Sequence, residues 1–125
     1  MPKDSKELIM LAGKGDPDAQ AELADRSFFG IGVAEDTSRT VKLWRQAAEG
    51  GNAQAQYNLA AVLYYGELAE RDYEAAYFWI LQAEFGGIAE AGGKRELIAK
   101  KLCPEVQGRV KARAKKWRES RDPRQ

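Results

Sequence analysis

The 125-residue chain is predicted to be an all-α protein, a short solenoid of stacked antiparallel helix pairs. The main observation is a repeat. Residues 15–50, GDPDAQAELADRSFFGIGVAEDTSRTVKLWRQAAEG, align without a gap on residues 51–86, GNAQAQYNLAAVLYYGELAERDYEAAYFWILQAEFG. Gly15 falls on Gly51, Gln20 on Gln56, Leu23 and Ala24 on Leu59 and Ala60, Gly30 on Gly66, Asp36 on Asp72, and Ala47 on Ala83. A 36-residue period is that of a helix pair that cannot bury its apolar face alone and must stack on its neighbours. Two further observations agree: apolar residues recur at helical spacing within each half-repeat, and Gly, Asp and Asn mark the boundaries.

In order along the chain, residues 4–14 read as the tail of a truncated first repeat, with Leu8, Leu11 and Ala12 at the places of Trp44, Ala47 and Ala48. Asp16 and Pro17 start the next helix: the carboxylate accepts from a free backbone N–H, and proline fits the first helical position, where no N–H is needed. That helix A spans about 17–29 and ends at Gly30, and helix B spans about 37–49 with Thr40, Leu43, Trp44 and Ala47 on one stripe. In the second repeat, Asn52 caps helix A (about 53–65) and Asp72 caps helix B (about 73–85). Tyr77, Phe78, Trp79, Ile80 and Leu81 make this last helix apolar nearly all round, the pattern of a helix buried on every side. A degenerate third repeat and C-terminal cap fill 87–119, with a helix start at Cys103-Pro104-Glu105 and a stripe of Val106, Val110, Ala114 and Trp117. Residues 120–125 read as a frayed tail. The expectation is a single domain over 1–125 with about seven helices.

Composition narrows the function. Apolar residues make up 44% and charged residues 31% of the chain, a globular balance, and the one early apolar run, 8–12, is too short for a membrane span or a signal-peptide core. A single cysteine makes no internal disulfide, which points to a reducing, cytoplasmic setting. With no histidine, no paired cysteines and no Gly-rich phosphate loop, nucleophile-and-base, zinc and P-loop chemistry lack their parts; no enzyme, metal or cofactor is expected. The close carboxylates Glu22 and Asp25, Glu35 and Asp36, and Glu70 and Asp72 read as solvated helix faces and caps.

Charge is unevenly spread: residues 1–93 carry 8 basic and 15 acidic side chains, residues 94–125 carry 12 and 4. Opposite fields at the two ends allow weak head-to-tail association, so a monomer or weak dimer is expected. Arg109, Lys111, Arg113, Lys115, Lys116 and Arg118 surround the stripe of the last helix. They are either a solubilising cap or a surface for nucleic acid, an acidic membrane or an acidic partner, and Trp117 is the one aromatic among them. Cys103 likewise has two readings, a thiol activated at a helix N-terminus or a plain substitute for a Ser or Thr cap.

The stretch GNAQAQYNLAAVLYYG, a loop to Asp72 and then AAYFWILQAEFGG resembles the Sel-one-like repeat, a slightly longer relative of the tetratricopeptide repeat. TVKLWRQAAEGGNAQAQYNL is similar to that family's junction between repeats, and Leu102 to Trp117 is similar to the terminal cap of many bacterial members. Ser27 and Leu63 stand where an aromatic is usual, and Leu68 replaces the second loop glycine. The resemblance implies a right-handed superhelix with the A helices lining a concave face, and a scaffold or adaptor role in binding proteins or peptides. By the same analogy, Tyr57, Asn58, Ala61, Tyr64 and Tyr65 face that groove, with Ala21, Glu22, Asp25, Phe28 and Phe29 equivalent before them and Gly93, Lys94, Leu97, Lys100 and Lys101 after them. Such a groove is acidic and aromatic at one end and basic at the other. One aromatic of each adjacent pair is also placed to pack inside its repeat. The alternative use of the chain is association with nucleic acid or another acidic surface through the last helix.

Overall fold

The computed structural model describes residues 4–122. Their regular structure is seven helices: α1 (Ser5–Gly13), α2 (Pro17–Phe29), α3 (Thr37–Glu49), α4 (Ala53–Tyr65), α5 (Tyr73–Phe85), α6 (Ala91–Ala99) and α7 (Pro104–Ser120). The helices of the two full repeats begin and end where the repeat pattern places them, because each start has its own cap. Asp16 accepts from the N–H groups of Asp18 and Ala19, Asp36 from that of Arg39, Asn52 from that of Ala55 and Asp72 from that of Ala75. Cys103 stands at the cap of α7, yet its side chain makes no capping bond there; Sγ lies 3.9 Å from Glu105 Oε2.

Successive pairs stack through tight junctions. A Cβ on Gly50 would lie 2.7 Å from Cβ of Pro17, and one on Gly86 would lie 2.7 Å from Cβ of Ala53, the same clash one repeat later. The glycine that follows each adopts positive φ, +100° at Gly51 and +91° at Gly87. The junctions before α2 and α4 are each tied by a buried glutamine, Gln20 Nε2 donating to the Ala12 carbonyl and Gln56 Nε2 to the Ala48 carbonyl, both at 3.1 Å, while Gly92 stands at that place after Gly86 and Gly87. Gln107 at the start of α7 repeats the bond to Ala99 at 2.9 Å. Ser27, which replaces an aromatic, is fully buried and donates to the Asp36 carbonyl across the loop, so the small polar residue closes the turn that a ring would otherwise cover.

The core runs through the stack as one cluster of Leu, Ala, Val, Ile and aromatic side chains. Helix α5 is at its centre, packed against α4, α6 and α7, which accounts for its apolar character on all sides. α7 has its principal packing on α5. Val110 and Ala114 are fully buried there, whereas Val106 and Trp117 are only half-buried. Phe78, Trp79 and Trp117 form an edge-to-face cluster with ring centroids 4.8–5.9 Å apart. Gln82, 2% exposed, joins the two helices by donating to the Ala114 carbonyl and accepting from Arg118 Nη1 at 2.8 Å.

Two residues of the stretch expected to fray are ordered in the fold: Ser120 ends α7 and its hydroxyl donates to the Trp117 carbonyl, and the Arg121 guanidinium stacks 4.5 Å from the Trp117 ring centre. The rest of that expectation, residues 123–125, lies outside the described residues. Among the described residues no helix is long and apolar enough to cross a membrane.

Candidate functional site

Between the A helices of the two full repeats lies a depression of about 210 Å³, lined by Phe28, Trp44, Asn58, Ala61, Tyr65 and Leu68 among others. Its floor is aromatic because the last turn of α2 turns Phe28 against the indole of Trp44, ring centroids 5.6 Å apart. Its far wall is the last two turns of α4. The helical period brings Asn58, Ala61 and Tyr65 to one face there, with Leu68 closing the end from the following loop.

Charged groups flank the two sides. Asp25 accepts a 3.1 Å hydrogen bond from Trp44 Nε1. Burial pushes its carboxyl above the usual aspartate range, the indole bond opposes that, and the charge of Glu22 adds to it. On the opposite side, Lys94 of α6 donates to the Tyr65 hydroxyl at 2.9 Å. That bond raises the Lys94 pKa, desolvation opposes it, and the Tyr65, Tyr57 and Tyr64 phenols add to it. The Lys94 ammonium is 5.0 Å from the Tyr65 ring centre, a weaker contact than the bond to the hydroxyl.

The structure thus brings Phe28, Asn58 and Tyr65 to one depression, puts Asp25 and Lys94 beside it, and gathers Tyr57 and Tyr64 near Lys94. Other residues of the expected groove go elsewhere. Phe29 is 67% exposed and meets Phe28 edge-on, outside the lining. Glu22 is held by Arg26 one turn along α2, Nη2 to Oε1 3.0 Å. Tyr64 tilts onto Tyr73, and Lys101 lies 5.9 Å from the same Tyr73 ring rather than against Tyr65. In each adjacent aromatic pair the first ring packs inward and the second projects, as the pairing suggested. Trp44, expected as core, and Leu68, expected as a lost glycine, also line the depression; no local pattern pairs Trp44 with Asp25, which stands 19 residues earlier. Asn58 is oriented by Gln54, which donates to its side-chain oxygen at 3.2 Å.

The basic last helix is partly committed within the chain. Arg109 pairs with Glu74 at 2.8 Å, Arg113 stacks on Phe78, Arg118 binds Gln82 and lies 4.5 Å from the Phe85 ring centre, and Arg121 stacks on Trp117. Among the described residues no group of three or more Cys, Asp or Glu side chains is placed to hold a metal ion.

Stacked helix pairs tied at a 36-residue period, with an aromatic depression between A helices, define the class: an α-solenoid repeat protein. The model of the Sel1 repeat matches residues 17–52 and 53–84, and the chain belongs to the Sel1 repeat family. It is 30% identical, with a TM-score of 0.78, to a protective antigen present in uropathogenic Escherichia coli strains and displaying an SLR fold; the match covers 94% of this chain but 25% of that one. A Sel1 repeat protein from Oxalobacter formigenes is 23% identical with a TM-score of 0.67, over 86% of this chain and 96% of that one, a likeness of fold. A search of curated protein sequences finds no match. The chain therefore spans a quarter of the length of the Escherichia coli antigen. Sel1 repeats are generally protein–protein interaction modules.

Proposed function

We propose that the chain is a non-catalytic, cytoplasmic adaptor module that binds a peptide or a partner helix in the depression between α2 and α4. The observation that carries this reading is the Phe28–Trp44–Tyr65 surface with Asp25 on one side and Lys94 on the other. Aromatic anchors bury much area at small cost in rotamer entropy, and two opposite charges give an extended ligand a preferred direction. Asn58 in the lining and Tyr57 one residue before it on α4 complete the contact. The protein acts as a monomer or weak dimer. The nucleic-acid reading is weaker, because Arg109, Arg113, Arg118 and Arg121 already hold α7 in place.

Partners captured on the wild-type chain and identified by mass spectrometry test the proposal. The partner's binding segment is then titrated against Tyr65→Ala, Asn58→Ala and Tyr57→Ala. A loss of at least about tenfold with an unchanged melting temperature supports the site. Unaltered affinity in all three variants rejects it.

A further inference from the structure

A second surface, around the end of α5, shares no lining residue with the depression between α2 and α4. Phe85, at the end of α5, is 74% exposed, more than any other large apolar side chain described. A cleft of about 550 Å³ opens on one side of it, toward Trp117 and Arg121, and one of about 470 Å³ on the other, toward Leu81 and Lys111. Lys115 and Arg118 line both clefts, so the two are continuous around the Phe85 ring. The Arg118 guanidinium lies 4.5 Å from the centre of that ring and is anchored by its bond to Gln82.

We infer that this Phe85–α7 surface binds an acidic peptide segment that carries an apolar residue. Charge complementarity specifies the partner. Lys111 and Lys115 are exposed and stand one helical turn apart beside Phe85, and with Arg118 and Arg121 they make four basic side chains against three acidic ones in the lining of the two clefts. A carboxylate reaching Lys111 or Lys115 brings a neighbouring apolar side chain onto Phe85 and Leu81. From Lys111 to Arg121 the helix is about 15 Å long, the reach of about five extended residues. Glu119 and Asp122 line the larger cleft and Glu84 the smaller. These acids are set against a nucleic-acid strand, whose charge is unbroken along its length, while a peptide can place neutral residues opposite them.

The test is a fluorescence-anisotropy titration with a labelled peptide of alternating Glu and Leu, about eight residues long so as to exceed the surface. A Gln-for-Glu version of the peptide, a single-stranded RNA of similar charge and sedimentation of the protein alone complete the experiment. Binding is expected for the Glu peptide, with a loss of about tenfold or more in Phe85→Ser and in the Lys111→Glu, Lys115→Glu double variant, and with no change in Tyr65→Ala. The altered side chains are exposed, so the melting temperature of each variant should match the parent. No binding of the Glu peptide, equal binding of the Gln peptide, or tighter binding of the RNA at the same side chains overturns the proposal. So does a self-associated protein that Lys111→Glu, Lys115→Glu makes monomeric, which assigns the face to a second copy.

Discussion

The indole N–H of Trp44 donates to the carboxylate of Asp25 at 3.1 Å, linking helix B of the first repeat to its own helix A. Asp25 has a pKa raised by burial, so the folded state holds a proton at pH values where the unfolded chain has released it. Stability from this group is present below the unfolded value of 3.8 and is lost as pH rises through the folded value, which leaves a penalty at neutral pH. Asp25→Asn keeps an acceptor for the indole and removes the charge. Its melting temperature at pH 7 should equal or exceed that of the parent, and the difference should shrink as pH falls toward 3.8. Asp25→Ala leaves the indole without a partner and should cost about 1–3 kcal/mol. Thermal melts of the three proteins across pH check both outcomes.

Trp79 is 7% exposed and meets Phe78 and Trp117 edge-on. Trp79→Ala should cost about 3–5 kcal/mol through the cavity it leaves. A variant that melts within a degree or two of the parent in a denaturation experiment would remove Trp79 from the core.

Gln82 is the polar tie between α5 and α7. Gln82→Met fills similar space without either hydrogen bond and should cost about 1–3 kcal/mol. Hydrogen exchange locates the loss: the amides of α7 should lose protection ahead of those of α2 to α4. Uniform loss over the whole chain would mean that α7 unfolds only with the rest.

Gly30 and Gly66 close the A helices with φ of +70° and +71°. An alanine in this region costs roughly 1–2 kcal/mol at either place. At Gly66 its Cβ would also lie 2.9 Å from Cβ of Arg71, whereas at Gly30 its nearest neighbour is Glu35 Cβ at 3.6 Å. Gly66→Ala should therefore be the more destabilising of the two in chemical denaturation, and the reverse order would contradict the closer contact.

The helix ends were legible because their causes are local: Asp16 with Pro17, Asn52 and Asp72 cap as their residue types predict, and Gly30 and Gly66 turn left-handed. What surrounds each residue was less legible. Gln46 and Gln82 occupy one place in the repeat, but Gln46 is exposed and Gln82 is sealed under α7, because the stack ends differently on that side. Lys94 and Lys101 were placed together on the groove by register. Lys94 on α6 reaches Tyr65, whereas Lys101 lies past the end of that short helix at Ala99 and reaches Tyr73. Leu68 joins the depression from a loop, where no helical period governs direction.

The glutamines at the junctions constrain how such an array can change in length. Gln20 and Gln56 each reach back eight residues to a carbonyl, and the loop within each pair is closed as well, by the N–H of Asp36 to the Ser27 carbonyl and that of Asp72 to the Leu63 carbonyl. One residue inserted into a helix next to a junction would turn the amide by about 100° and shift it by about 1.5 Å, and a buried carbonyl would be left without its donor. Small insertions are penalised at both connections of the unit, whereas copying a whole helix pair preserves every tie. Growth by duplication of complete 36-residue blocks is thus the route that leaves the structure intact, and the two copies in this chain still align without a gap.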